Sequence, residues 1–190
     1  MKKFLTLRNI VLAAGALVAI VGFVLTFFAG LKLNLGVEAE IKSFIYGAKT
    51  LVAEGEEYAV KDVLGYEPVI AIVPFIGALL MVVGAVAACV VGLLVKKPFA
   101  KWIVLACGVV VLAGGIMQFF PVEAFTQSYV DGIIKADPSA ADYRQELIDE
   151  MLEQLKAMEA SSPMAIVCGV LGCVGGAAAG ASAFLGKKGE

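Results

Sequence analysis

Histidine is missing altogether. Its absence removes the commonest general base near neutral pH and the commonest protein ligand for zinc. Charge is scarce as well: Asp, Glu, Lys and Arg make up 17% of 190 residues, where a soluble domain carries about a quarter. The scarcity is concentrated. Four stretches, Ile10–Leu31, Val69–Val95, Trp102–Phe120 and Met164–Gly186, hold no Asp, Glu, Lys or Arg at all. Coupled transporters and ion pathways normally place such groups at membrane depth, so their absence argues against that class. The four cysteines, Cys89, Cys107, Cys168 and Cys173, all fall within these stretches and none forms a Cys-x-x-Cys pair. That pattern leaves no disulfide for the polar segments, and it speaks against membrane thiol oxidoreductases; buried cysteines are ordinarily small packing residues. No Asn-x-Ser/Thr site occurs either, which fits a bacterial inner membrane better than an animal cell surface.

What the chain has in abundance is apolar length. Apolar residues make up 61% of it, and the mean hydropathy is +0.92. A helix needs roughly 20 apolar residues to cross a hydrocarbon core of about 30 Å. Each of the four stretches suffices, so the chain reads as one integral membrane domain over residues 1–190. The expected fold is all-α, a bundle of four transmembrane helices with amphipathic helices in two extracytoplasmic loops, 32–68 and 121–162. Met1-Lys2-Lys3 and Arg8 precede the first stretch as they would a signal peptide, but the run exceeds the 7–15 residues of a signal core and reads as an uncleaved anchor.

Charge sets the orientation. Lys2, Lys3, Arg8, Lys96, Lys97, Lys101, Lys187 and Lys188 lie on one set of alternate segments, against Glu190 alone. Residues 32–68 hold four lysines and seven acids, and residues 121–162 three basic residues and nine acids. Short basic segments stay cytoplasmic. Both termini and the Lys96–Lys101 link are therefore expected inside a plasma membrane, with the acidic segments outside.

Two sets of residues suggest where the chain makes specific contacts. Gly172, Gly176 and Gly180 recur every four residues in the fourth span, and Gly84, Ala88 and Gly92 do so more mildly in the second. Small residues at that spacing allow close helix packing in lipid, within one bundle or between copies in a homo-oligomer. In the loops, Ile41, Phe44, Ile45, Ala48, Leu51 and Val52 recur at helical spacing. Tyr143, Leu147, Ile148, Met151, Leu152, Leu155 and Met158 do so over 140–160, where Ser139 and Asp142 resemble a capping box. The acidic counter-faces of these helices disfavour an anionic membrane surface. Phe44, Ile45 and Leu51 are therefore expected to pack against Leu147, Ile148, Met151 and Leu155 as an outer cap. Glu67 and Glu123 flank the outer boundary and read as solvated carboxylates.

Four spans, internal termini and two outer segments resemble claudins and tetraspanins in topology; their Trp…Cys…Cys and Cys-Cys-Gly loop signatures are absent. No catalytic, cofactor-binding or metal-binding constellation is evident. The expected function is non-enzymatic: binding or scaffolding a membrane or extracytoplasmic protein through the acidic outer cap, with lipid as the solvent and no nucleic acid partner. The alternative is a pore-forming or transporter-associated subunit.

Overall fold

The computed structural model describes residues 6–34, 36–95 and 98–185. In chain order the elements are α1 (Leu7–Thr26), β1 (Leu31–Asn34), β2 (Glu38–Ile41), β3 (Thr50–Ala53), β4 (Glu56–Ala59), α2 (Val60–Leu64), α3 (Ile72–Leu94), α4 (Ala100–Ile116), α5 (Pro121–Ala136), α6 (Arg144–Ala157) and α7 (Pro163–Ser182). Short 3-10 turns lie at Phe44–Tyr46, Met117–Phe119 and Pro138–Tyr143. Helices α1, α3, α4 (extended by its 3-10 turn to Phe119) and α7 are each long and apolar enough to cross a membrane. Only 33% to 44% of each most apolar stretch is buried, and Leu17, Val83, Val109 and Val174 stand among the exposed remainder. Such surfaces are stable against lipid and not against water. Phe27, Phe28, Trp102, Phe119 and Phe120 lie exposed at or beside the helix ends, where aromatic rings suit an interface.

The chain divides into two compact units. The first takes in the chain up to Val24, Ile76–Phe119 and the chain from Val167 onward; the second takes in Leu25–Phe75 and Phe120–Ile166. In the first, Leu12, Ala88, Val104, Ala179 and Ala183 are buried together, as are Ala16, Ala19, Ala85 and Val111. These clusters are dominated by alanine, so the helix backbones come near one another.

The second unit has its own core of larger side chains. Its sheet is antiparallel in the order β1-β2-β3-β4, with Leu31 opposite Ile41, Ile41 opposite Leu51, and Leu51 opposite Tyr58. Leu31, Leu33, Ala39, Ile41 and Leu51 bury one face against Phe44, Ile45, Val60, Phe125, Tyr129 and Leu155. Glu54 and Gly55, both at positive φ (53° and 86°), make the two-residue turn from β3 to β4. This conformation matches strand twist. Helix α5 starts with Pro121 in its first turn and stops at Asp137-Pro138. The edge of β1 is paired as well: Lys32 and Ser161 exchange both backbone bonds, at 2.8 and 3.0 Å, and Ser162 Oγ donates to the Gly30 carbonyl at 2.7 Å.

Several expectations change. The all-α fold gives way to a mostly helical chain with one small sheet, and the sheet stands where an amphipathic helix was expected over 41–52. The residues of that pattern are buried nonetheless: Ile41 and Leu51 from strands, Phe44 and Ile45 from a 3-10 turn. The first span stops at Thr26, not Leu31, because the backbone turns at 27–29 and Leu31 enters β1. The third helix is already formed at Ala100, two residues before Trp102. The second span starts at Ile72, not Val69, because Val69 donates to the Ser128 carbonyl and Ala71 to that of Ile45, holding both in the second unit. Arg8 and Lys101 fall within the first turns of α1 and α4; Lys101 is exposed, its long stem letting the charged head reach water, whereas Arg8 Nε is buried. The 140–160 helix is α6, starting at Arg144. The cap upstream of it is Asp137, which accepts from Ser139 N at 3.0 Å and Oγ at 2.6 Å; these bonds lower the carboxyl's pKa. Lys2, Lys3, Lys96, Lys97, Lys187, Lys188 and the span end at Gly186 lie outside the described residues.

Candidate functional site

The second unit carries all of the charged side chains among the described residues except Arg8 and Lys101. Leu155 shares a core with Phe44, Ile45 and Leu51, and Met151 packs against it. Leu147 and Ile148 do not join that cluster: Ile148 is buried elsewhere on α6 and Leu147 is half-buried. The element that links segments 32–68 and 121–162 is α5. Phe125, fully buried, and Tyr129 belong to the same core, their rings stacked at 6.2 Å. An ion pair of 2.9 Å between Arg144 and Asp131 joins the start of α6 to α5. With Leu155 turned inward, Glu146, Asp149, Glu150 and Glu153 stand exposed along α6.

A strap from Leu64 to Ala71 crosses α5. The Tyr129 hydroxyl donates to the Leu64 carbonyl, and Val69 N donates to the Ser128 carbonyl at 3.0 Å. Burial, and then the neighbouring Tyr66, push the Tyr129 phenol up, which keeps its proton in place as a donor. Gly132 is what lets the strap lie so near: a Cβ there would stand 2.2 Å from the Glu67 carbonyl oxygen. Between strap and α5 opens a cleft of about 720 Å³, lined by Tyr66, Ile70, Ile72, Lys49, Lys61 and Lys135 among others. No sequence motif points to this cleft; the one hint is Gly132, a glycine inside an otherwise helical run.

Within the first unit, Gly172, Gly175 and Gly176 of α7 meet backbone, whereas Gly84, Gly92 and Gly180 meet side chains first. A Cβ on Gly176 would lie 2.6 Å from Leu112 N and 2.7 Å from the Gly108 carbonyl, and one on Gly172 would lie 2.8 Å from Gly115 Cα. Gly180 has more room, its nearest neighbour being Leu105 at 3.6 Å. On another side of α7, Gly175 stands against Gly15 and Ala19 of α1. Gly84 meets Val111 and Cys107 of α4, and Gly92 meets Leu12 and Val104; Ala88 is buried with Leu12 and Val104. Sequence spacing singled out α7 and α3, whereas their glycine partners Gly15, Gly108, Gly114 and Gly115 recur less regularly.

All four cysteines are free thiols, and Cys173 Sγ lies 3.8 Å from the Leu112 carbonyl. Glu67 and Glu123 are both exposed. Among the described residues no three His, Cys, Asp or Glu side chains are grouped to hold a metal. Comparison with family models, curated proteins and solved structures returns no match to this chain.

Proposed function

We propose that this chain is a non-enzymatic membrane-anchored binding protein that holds a basic protein partner on the acidic face of α6. The observation that carries the reading is the shared core of the second unit. Phe44, Ile45 and Leu51 from one outer segment and Phe125, Tyr129 and Leu155 from the other are buried together. A chain that spends about half its length on such a unit presents a preformed surface, and its most charged part is the row Glu146, Asp149, Glu150 and Glu153. Complementary charge of this kind steers association and selects partners. In this reading the four spans form one bundle through the small-residue faces of α1, α3, α4 and α7. The bundle sits in a plasma membrane with both termini cytoplasmic and the acidic unit outside, as the placement of Lys and Arg supports.

The test is affinity capture from native membranes with the full-length protein and with Glu146→Lys/Asp149→Lys/Glu150→Lys/Glu153→Lys. A basic protein is expected at near-stoichiometric yield with the parent and is expected to be lost with the variant, whose melting temperature stays close to the parent's. Equal capture by both would remove α6 as the binding surface. Ion flux through the purified protein in liposomes would replace this reading with that of a pore-forming subunit.

A further inference from the structure

The segments 32–68 and 121–162 carry seven basic residues among sixteen acids, and three of the seven line one cleft. They come from three places in the fold: Lys49 ahead of β3, Lys61 on α2 and Lys135 in the last turn of α5. Lys42 is paired with Glu57 and Arg144 with Asp131, but Lys49, Lys61 and Lys135 make no ion pair among the described residues. Glu67 is the one acid in the lining. The remaining wall is apolar and uncovered: Ile70 is 44% and Ile72 59% exposed, beside the Tyr66 ring at 38%. Ile72 is the first residue of α3, a helix apolar enough to enter lipid. The walls are held before any ligand arrives, by the Tyr129–Leu64 and Val69–Ser128 bonds and by the close approach at Gly132.

We propose that this cleft binds one anionic amphiphile, its phosphate or carboxylate head at Lys49, Lys61 and Lys135 and its acyl chain along Ile70 and Ile72. Three lysines that line one cleft without an ion pair among the described residues fit a single compact anion, since each lysine near an anionic headgroup contributes roughly a fivefold gain in binding. The apolar wall calls for a tail, which a free anion lacks. The acids around the cleft repel an anionic bilayer as a whole, so the mode is capture of one molecule and not adsorption to a surface. Fixed walls keep the ordering cost of binding low. The site is separate from the acidic face of α6 and does not depend on the partner proposed there.

The experiment uses full-length protein in detergent, titrated with phosphatidylglycerol, phosphatidylcholine or inorganic phosphate, with occupancy read by native mass spectrometry. The parent is expected to take up one phosphatidylglycerol. Lys49→Gln/Lys61→Gln/Lys135→Gln is expected to bind it on the order of hundredfold more weakly. Lys32→Gln/Lys156→Gln, which alters lysines outside the cleft, should keep the parent's affinity. Phosphatidylcholine should bind parent and triple variant alike. All three lysines are exposed, so the triple variant should melt as the parent does. Unchanged phosphatidylglycerol affinity in the triple variant would overturn the site. Inorganic phosphate bound as tightly as phosphatidylglycerol would overturn the amphiphile, because the apolar wall would then contribute nothing.

Discussion

Gly176 and Gly180 sit one helical turn apart on α7, yet a methyl group at each meets different surroundings. At Gly176 it would stand 2.6 Å from a backbone nitrogen; at Gly180 its nearest neighbour, 3.6 Å away, is the end of a leucine side chain. Gly176→Ala is expected to lower the unfolding temperature in detergent, with a cost of about 1–3 kcal/mol for overpacking, and Gly176→Leu to lower it further. Gly180→Ala should melt at or slightly above the parent, since a methyl group has room there and alanine is the better helix former; equal loss at both positions would mean that the close approach at Gly176 does not set it apart. The same logic holds at Gly132, where a Cβ would meet the Glu67 carbonyl. Tyr129→Phe tests the strap from its other side, since the bond to the Leu64 carbonyl is worth about 1 kcal/mol. The variant should also increase protease cleavage between Leu64 and Ala71, and unchanged cleavage would show that the strap is held without it. Periodicity made the α7 glycines legible in the sequence. It could not rank them, because the clash at each depends on where α4 lies.

At the scale of elements, segment 32–68 was legible as buried residues but not as secondary structure. Ile41, Phe44, Ile45 and Leu51 satisfy a helical spacing and are all buried. The competing signals were short: Leu-Lys-Leu-Asn over 31–34 alternates buried and exposed, and Glu54-Gly55 forms a two-residue hairpin turn. Strands of four residues give too few periods to outweigh a longer helical match. The packing of Phe44, Ile45 and Leu51 with Leu155 followed from amphipathicity, whereas the place of α5 between the segments did not. Leu51→Asp and Leu155→Asp should each lower the melting temperature by burying an unpaired carboxylate, at about 1–3 kcal/mol. Together they should cost less than the two singles combined, because both open one core. Strict additivity in thermal melts would separate Leu155 from the sheet. The Asp137 cap predicts a pH effect as well. Its carboxyl titrates lower in the fold than in the open chain, so the stability it adds is present above the unfolded value and fades as pH falls through the lowered one. Circular dichroism of Asp137→Asn should lack that acid-side loss of helix.

For the whole molecule, the orientation is open to direct labelling. Cysteines introduced at Gly55 and Ala136 should react with an impermeant thiol reagent added to intact cells, and one at Ala100 should react only after lysis. Labelling at Ala100 in intact cells would reverse the topology and with it the side from which partner and amphiphile approach. The bond between Ser162 and Gly30 has a further consequence, in time. Its two ends lie 132 residues apart. A ribosome adding roughly 5–20 residues per second takes about 7–26 s to cover that distance. Throughout that interval β1 has been delivered and the edge that meets Ser161 has no strand-like neighbour, and by its end three of the four apolar helices have been made. The second unit therefore cannot close before Ser161 and Ser162 emerge, just ahead of α7, and a chain stalled before Ser161 should be a far better substrate for surface proteases than the finished protein.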